Sequence, residues 1–394
     1  MMEYLKRKNE ELAIINSYIA NYKTNEVLDY NGLIMEKDRL SELLKYYYAK
    51  KYYHELTNKN QFEITDPFNY KYTYERFNGF IDIPNFTNDF YNINAKIKTN
   101  NYFTNCGMSS IVSLLTSIIS ANNINVELMY EETYFETIKY ISMISKIDNE
   151  KKVLYVDSIA SDFNLKDNIN YDDYEAIIID TTCFIGDYYK QYIENIVKAK
   201  KTCIIVRSHT KLDLVGVEFS HIGSVSFIYP FQCKNKDLIE KIEKDCRHLI
   251  GVNGACLPPD RFPEFMTNKE LLNFNKLRIQ QINKNNDSLY KELIKSKINC
   301  QIPNHKLFCL INFENSNFTL EMLKTKLKDF CNTNRNSVPI YHAVSFGFDY
   351  ISLDCYENFN DGKFKIRVCM NDMPEEDLQI LIHNFITFCN SVSK

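Results

Sequence analysis

The sequence predicts an α/β protein with a mostly parallel central sheet in a large domain, followed by a smaller C-terminal α+β domain. Short apolar runs, "NVELM", "KVLYVD", "EAIIID", "TCIIVR" and "SVSFIY", follow one another across residues 125–229. Segments long enough for helices, such as "SSIVSLLTSIIS" and "YYKQYIENIVKAK", are interspersed with them. The runs are continuous rather than alternating, which is the pattern of strands covered on both faces.

Upstream, "YLKRKNEELAIINSYI" and "LSELLKYYYAKKYYHEL" carry apolar positions at helical spacing and predict two amphipathic helices. From about residue 70 to 100 the chain turns rich in Asn, Pro and Gly, as a long loop or arm does. The stretch "LPPDRFPEF" then breaks the pattern after about residue 255, and a long helix follows in "NKELLNFNKLRIQQINKNNDSLYKELI". Strands near "LFCLINF", "DYISLD" and "FKIRVCM", with helices at "TLEMLKTKLKDF" and "EEDLQILIHNFITF", complete the smaller domain. The expected organisation is a helical segment and arm over 1–70, a large domain over 71–255 and the C-terminal domain over 256–394.

The 394 residues have a net charge of -4, with both signs interspersed, so no nucleic-acid footprint stands out. No apolar run is long enough to span a bilayer, and the start "MMEYLKRKNEE" is too charged for a secretory signal, which points to a cytoplasmic protein. The 12 cysteines are never closer in sequence than Cys300 and Cys309, which excludes a CxxC pattern and favours reduced, buried thiols. No His, Cys or carboxylate grouping has metal-ligand spacing, so no metal is expected.

Ligands of open α/β sheets collect at the carboxyl ends of the strands. Gly107 and Met108 open a helix in "TNCGMSSIVSLL", either as a plain cap or as a phosphate cradle. Tyr130 ends "NVELMY", in a packing or a stacking role. Asp180 ends "EAIIID", where a buried carboxylate must be paired, hydrogen-bonded or raised in pKa. Lys211 follows "TCIIVR" with Ser208 and Thr210 just before it, either snorkelling outward or kept neutral for nucleophilic work. His209, beside it, reads as a pocket wall or surface residue rather than a catalytic base. Together, a phosphate cradle, an aromatic platform, a strand-end carboxylate and a lysine among hydroxyls are what pyridoxal 5'-phosphate needs.

At these residues the chain resembles the fold-type I pyridoxal phosphate enzymes of cysteine and methionine metabolism, the trans-sulfuration family of cystathionine γ-synthase, cystathionine lyases and methionine γ-lyase. "NCGMSSI" is similar to the family's Ser-Gly-Met-Ala-Ala-Ile, "YEETYFE" to Tyr-Gly-Gly-Thr-Tyr, "IIDTTCF" to Val-Asp-Asn-Thr-Phe and "SHTK" to Ser-x-Thr-Lys. The resemblance implies that Lys211 forms the Schiff base, that Asp180 holds the pyridine nitrogen protonated, that Ser208 and Thr210 bind the phosphate and that Tyr130 stacks on the ring and serves as acid or base. "YERFN" is similar to an arm that reaches a neighbouring subunit's phosphate, which implies roles for Tyr74 and Arg76 in a homodimer or homotetramer whose site is shared between subunits. "FKIRVCMNDMPEEDL" is similar to the C-terminal segment whose arginine clamps the substrate carboxylate, which assigns Arg367, and "AVSFGFDYIS" places Ser345 in the same pocket.

The chain departs from the family in four places, one of which is that the Gly-His-Ser-Asp stretch following the family's lysine is missing. "DSIASD" puts Ser161 where an asparagine usually contacts the cofactor's phenolic oxygen, Glu131 and Glu132 replace the two glycines, and Thr181 replaces an asparagine. The implied activity is elimination or replacement of a γ- or β-substituent of an α-amino acid. Transamination, racemisation and retro-aldol chemistry use the same cofactor, and a non-catalytic homologue would keep only the fold.

Overall fold

A computed structural model describes residues 2–19, 23–53, 62–64, 70–72, 81, 83–94, 97–145, 149–164, 169–184, 189–210, 212–313, 318–357 and 362–392. In chain order, helices α1 (Met2–Asn16) and α2 (Tyr30–Tyr53) precede a short hairpin of β1 (Phe62–Ile64) and β2 (Tyr70–Tyr72). Helix α3 (Phe86–Phe90), strand β3 (Lys98–Thr104), helix α4 (Gly107–Thr116) and strand β4 (Asn125–Leu128) follow. Next come α5 (Phe135–Ile144), β5 (Lys152–Asp157), β6 (Ala176–Asp180), α6 (Lys190–Lys198), β7 (Thr202–Ser208), β8 (Gly223–Tyr229) and α7 (Lys236–Val252). The last part holds α8 (Lys269–Lys295), β9 (Cys300–Gln301), β10 (Cys309–Phe313), α9 (Leu320–Asn334), β11 (Ile340–His342), β12 (Ile351–Glu357), β13 (Phe364–Cys369) and α10 (Glu375–Val392).

The chain divides into two units. One contains Lys45–Thr210 and Phe219–Thr267 and is built on a six-stranded sheet in the order β3-β8-β7-β6-β5-β4. Strands β4 to β7 are mutually parallel, whereas β8 is antiparallel to both β7 and β3. Among the described residues of 209–222 no helix lies between β7 and β8, and the chain returns as β8 beside β7 in the opposite direction. Strands β5 to β8 are buried almost throughout because both faces are covered. Ile111, Leu114 and Leu115 of α4 and Ile239, Ile242 and Ile250 of α7 pack on Val153, Ile178, Ile204 and Phe227. On the opposite face, Tyr192, Ile193 and Ile196 of α6 pack with Leu154, Ile177, Ile179 and Ile205. Burying each such side chain contributes about 1.5–3 kcal/mol.

The other unit contains Met1–Leu44, Lys211–Glu218 and Asn268–Lys394. Its five-stranded sheet runs β11-β12-β13-β10-β9, antiparallel except for the β11–β12 pair. All 12 cysteines are free, and burial pushes the Cys203, Cys246 and Cys309 thiols up, as for small apolar side chains. Among the described residues, no helix is long and apolar enough to cross a membrane.

Candidate functional site

The parallel strands of the larger sheet end side by side. Asp157 and Asp180 are register partners on β5 and β6, and Ser208, two residues beyond the partner of Asp180, ends β7. Strand β8 begins at Gly223, which is paired with both Ser208 and Thr104, so the turn from β3 into α4 lies along the same edge. Two motifs far apart in sequence therefore meet: a Cβ at Gly107 would lie 2.7 Å from the Ser208 Cβ and 3.3 Å from its Oγ. Only glycine leaves room for the first turn of α4 to approach the end of β7 this closely.

Helix α4 opens on Cys106, whose sulfur accepts a hydrogen bond from the Ser109 N–H at 3.3 Å, and Thr104 donates to the Cys106 carbonyl at 2.8 Å. The first amides of a helix have no partner within it and carry the positive end of its dipole. Next to them the Ser208 hydroxyl has no hydrogen-bond partner among the described residues, while the Ser208 N–H donates to Thr182 Oγ1 at 3.0 Å. The Thr182 N–H in turn donates to Asp180 Oδ1 at 2.9 Å, and the Tyr155 hydroxyl reaches Asp180 Oδ2 at 3.4 Å. One close contact and two hydrogen bonds, given by the Ser208 and Thr182 backbone amides through the Thr182 hydroxyl, thus link an electropositive helix start to a buried carboxylate. Burial, followed by the Asp180 and Asp157 carboxylates, pushes the Tyr155 hydroxyl well up. Such an edge suits a ligand that is anionic at one end and carries a protonated nitrogen at the other.

Not every expected residue joins this path. The Thr210 hydroxyl accepts from the Ile222 N–H at 3.0 Å and donates to the Ser220 carbonyl at 3.4 Å, so it fastens the loop before β8. Tyr130 belongs to the core cluster on the face away from α4; its ring lies 5.9 Å from Phe163, and its hydroxyl accepts from the Asn164 N–H at 3.0 Å. The Ser161 N–H donates to Glu132 at 3.0 Å, so one of the glutamates that replace the family's glycines fixes this loop. His209 is fully buried rather than on the surface, with Nε2 2.8 Å from Ser224 Oγ and its ring edge-on to Phe86 and Phe90. Lys211, Tyr74 and Arg76 lie outside the described residues.

In the other unit, Arg367 and the segment carrying Ser345 are neighbours. Arg367 donates to the Val344 carbonyl at 2.5 Å and pairs with Asp354 at 3.3 Å, with its guanidinium 5.8 Å from the Phe308 ring and 6.0 Å from the Phe346 ring. The Ser345 carbonyl accepts from Ser352 at 2.6 Å. Arg367 Nε is buried without a partner among the described residues. Burial raises the Asp354 carboxyl even though Arg367 opposes the shift.

Two residues that sequence reasoning passed over hold the strand-end loops. Asp157 accepts from the N–H groups of Tyr134 at 2.9 Å and Ile159 at 3.0 Å. Arg207, fully buried, donates to the carbonyls of Thr181 and, at 2.7 Å, of Phe184, with its guanidinium 5.4 Å from the Phe90 ring. The signal for Arg207 was its place in "TCIIVRS": strand alternation turns it toward the face away from α4, opposite to Ser208.

Two solved structures, both single-substitution variants described as SPT with PLP, match with a TM-score of 0.51 and 12% identity, covering 78% of this chain and 75% of theirs. The architecture is that of the fold-type I pyridoxal phosphate enzymes. A further match, the apo form of CalE6, a methionine gamma lyase from Micromonospora echinospora, has a TM-score of 0.48 and 10% identity, covering 73% of this chain and 80% of that one. Likeness at this identity concerns the fold alone. No family model matches the sequence, and no curated protein matches it.

Proposed function

We propose that the chain is a pyridoxal phosphate-dependent enzyme acting on an α-amino acid, by elimination or replacement of a γ- or β-substituent as in trans-sulfuration. The supporting observation is the contact of Gly107 with Ser208 and the hydrogen-bonded path from Ser208 through Thr182 to Asp180. In this reading the phosphate takes the amides at Gly107 and Met108 and the unpartnered Ser208 hydroxyl. Asp180 holds a proton on the ring nitrogen, and the bound cofactor supplies an electron sink for carbanion chemistry. Lys211 carries the cofactor and moves protons at the α- and β-carbons. Arg367 takes the substrate carboxylate, with Ser345 beside it, and Tyr74 and Arg76 serve the site of a second copy of the chain.

One observation favours a second reading, chemistry confined to the α-carbon as in transamination, racemisation or aldol cleavage. The Tyr130 hydroxyl is engaged with the Asn164 backbone, in place of a free phenol that would protonate a leaving group. The test is to load the protein with cofactor, reduce it with borohydride and map the adduct. A visible band and an adduct on Lys211, both lost in Lys211→Ala, are expected; wild-type protein that stays colourless at saturating cofactor sinks the proposal. Products from homoserine esters, cystathionine, methionine and cysteine then decide between the readings. A released substituent with a 2-oxo acid and ammonia means elimination, and dependence on an amino acceptor means transamination.

A further inference from the structure

The helices at the start of the chain have no counterpart among the motifs above, yet they end in a buried ion network. Lys8 Nζ lies 3.1 Å from Asp349, 2.9 Å from Asp372 and 3.3 Å from Glu11. Lys37 Nζ pairs with Asp349 and lies 3.7 Å from Glu11; Arg278 Nε is 2.8 Å from Asp349, and Arg7 is 2.5 Å from Asp372. Four cations thus face three carboxylates. The surplus is taken up by the backbone: Lys37 Nζ donates to the Val215 carbonyl at 2.5 Å.

Val215 belongs to the segment Lys211–Glu218, which is part of the same unit as the network. Val215 has φ 51 and Gly216 φ 76, two successive left-handed residues, the first of them β-branched, which is a strained turn. The turn lies directly on the hub, since a Cβ at Gly216 would fall 2.5 Å from Asp349 Oδ1. Its flanks are fixed too: Asn275 donates to the Leu212 carbonyl at 2.7 Å, Ser41 to the Glu218 carbonyl at 2.7 Å and Tyr350 to the Glu218 carboxylate at 2.6 Å.

We infer that the N-terminal helices, acting through Lys37 and Ser41, are a positioning device that holds the strained segment immediately after Lys211. The inference rests on the proposed role of Lys211 for its purpose, though not for its geometry. Lys37 is suited to such a task because its ammonium is the surplus charge. Burial lowers its pKa, which Asp349 only partly offsets, whereas Lys8, also penalised by burial, is raised by Asp349, Asp372 and Glu11. Removing Lys37 leaves three cations and three carboxylates, so Lys37→Met is expected to fold.

Hydrogen exchange on the full-length protein without added cofactor tests the inference. In Lys37→Met and Ser41→Ala, exchange over residues 212–218 should rise about tenfold or more while β12 and α9 stay unchanged. Lys37→Arg and Ser41→Thr, which keep a donor, should restore protection. In cofactor-loaded protein, the pH midpoint of the visible band should shift in Lys37→Met and return in Lys37→Arg. Unchanged exchange over 212–218, or an equal rise throughout the unit, overturns the inference. Failure of the wild type to take up cofactor is a separate result and overturns the functional reading instead.

Discussion

At the strand ends of the six-stranded sheet, Ser208 presents a hydroxyl without a partner among the described residues beside a helix start, whereas in the other unit seven charged side chains close on one another around Asp349. The first arrangement is left incomplete where an external anion would complete it; in the second every charge faces an opposite one, although Arg7 Nε and Glu11 Oε1 make no hydrogen bond among the described residues. Desolvation accounts for the difference. A buried charge is tolerated only when opposite charges and hydrogen bonds surround it, so a saturated network holds structure in place and has little capacity left for a ligand. A hydroxyl and a set of helix amides are inexpensive to leave open, and can take up a phosphate at no cost of a lost internal pair.

The sharpest way to break this comparison is to remove the hub. Asp349→Asn leaves Lys8, Lys37 and Arg278 buried against two remaining carboxylates and should cost about 3–5 kcal/mol, read as a lowered urea midpoint. The pH dependence has a definite sign. Burial opposes ionisation of Asp349, but Lys37, Lys8 and Arg278 outweigh it and hold the carboxyl well below the usual carboxylate range. A depressed folded-state pKa contributes stability that is complete above the unfolded value and is lost as the pH falls through the folded one. The wild-type midpoint should therefore change little on this account from neutral pH to about 5 and fall below about 4, and Asp349→Asn should flatten that fall. An unchanged midpoint in Asp349→Asn would mean that the network is not closed.

At the other pole the expected effect is smaller and is coupled to a partner. Gly107→Ala places a methyl 2.7 Å from the Ser208 Cβ, an overpacking that costs about 1–3 kcal/mol. Ser208→Gly removes the obstacle, so the double variant should recover most of that loss in a four-protein unfolding cycle while binding the cofactor more weakly than the wild type. Strictly additive losses would show that the two motifs do not touch.

How much of this was legible in the sequence follows from the range of the forces involved. Strands β4 to β8, helix α4 and the helices of the C-terminal unit were visible because each is a local apolar pattern, such as "EAIIID" or "TLEMLKTKLKDF". Strand β3 was hidden in the Asn-rich stretch "KTNNYFT", whose pairing with β8 decides its conformation, and α7 and the reversal of β8 were passed over as well. The path from Gly107 to Asp180 was foreseeable as a set of motifs, while the roles of Thr182, Asp157 and Arg207 depend on partners distant in sequence. The ion network was not legible at all: "KRKNEE", Lys37, Arg278 and Asp349 look like ordinary solvated charges until the fold removes their water.

The smallest effect separates two hydroxyls that the sequence treats alike. Ser208 and Thr210 are two residues apart in "SHTK", yet the Ser208 hydroxyl has no partner among the described residues and that of Thr210 accepts from the Ile222 N–H and donates to the Ser220 carbonyl. Thr210→Val keeps the shape and removes both bonds, leaving a backbone donor on fully buried Ile222 unpaired, at about 1 kcal/mol of stability. Because that hydroxyl is already committed, Thr210→Val should leave cofactor affinity close to wild type, whereas Ser208→Ala should lower affinity and hardly change stability. Cofactor titrations and urea midpoints on the two variants read both quantities. If Thr210→Val weakens cofactor binding as much as Ser208→Ala does, the hydroxyl at 210 turns to the phosphate when the ligand arrives, and the open edge is wider than the geometry around Ser208 alone.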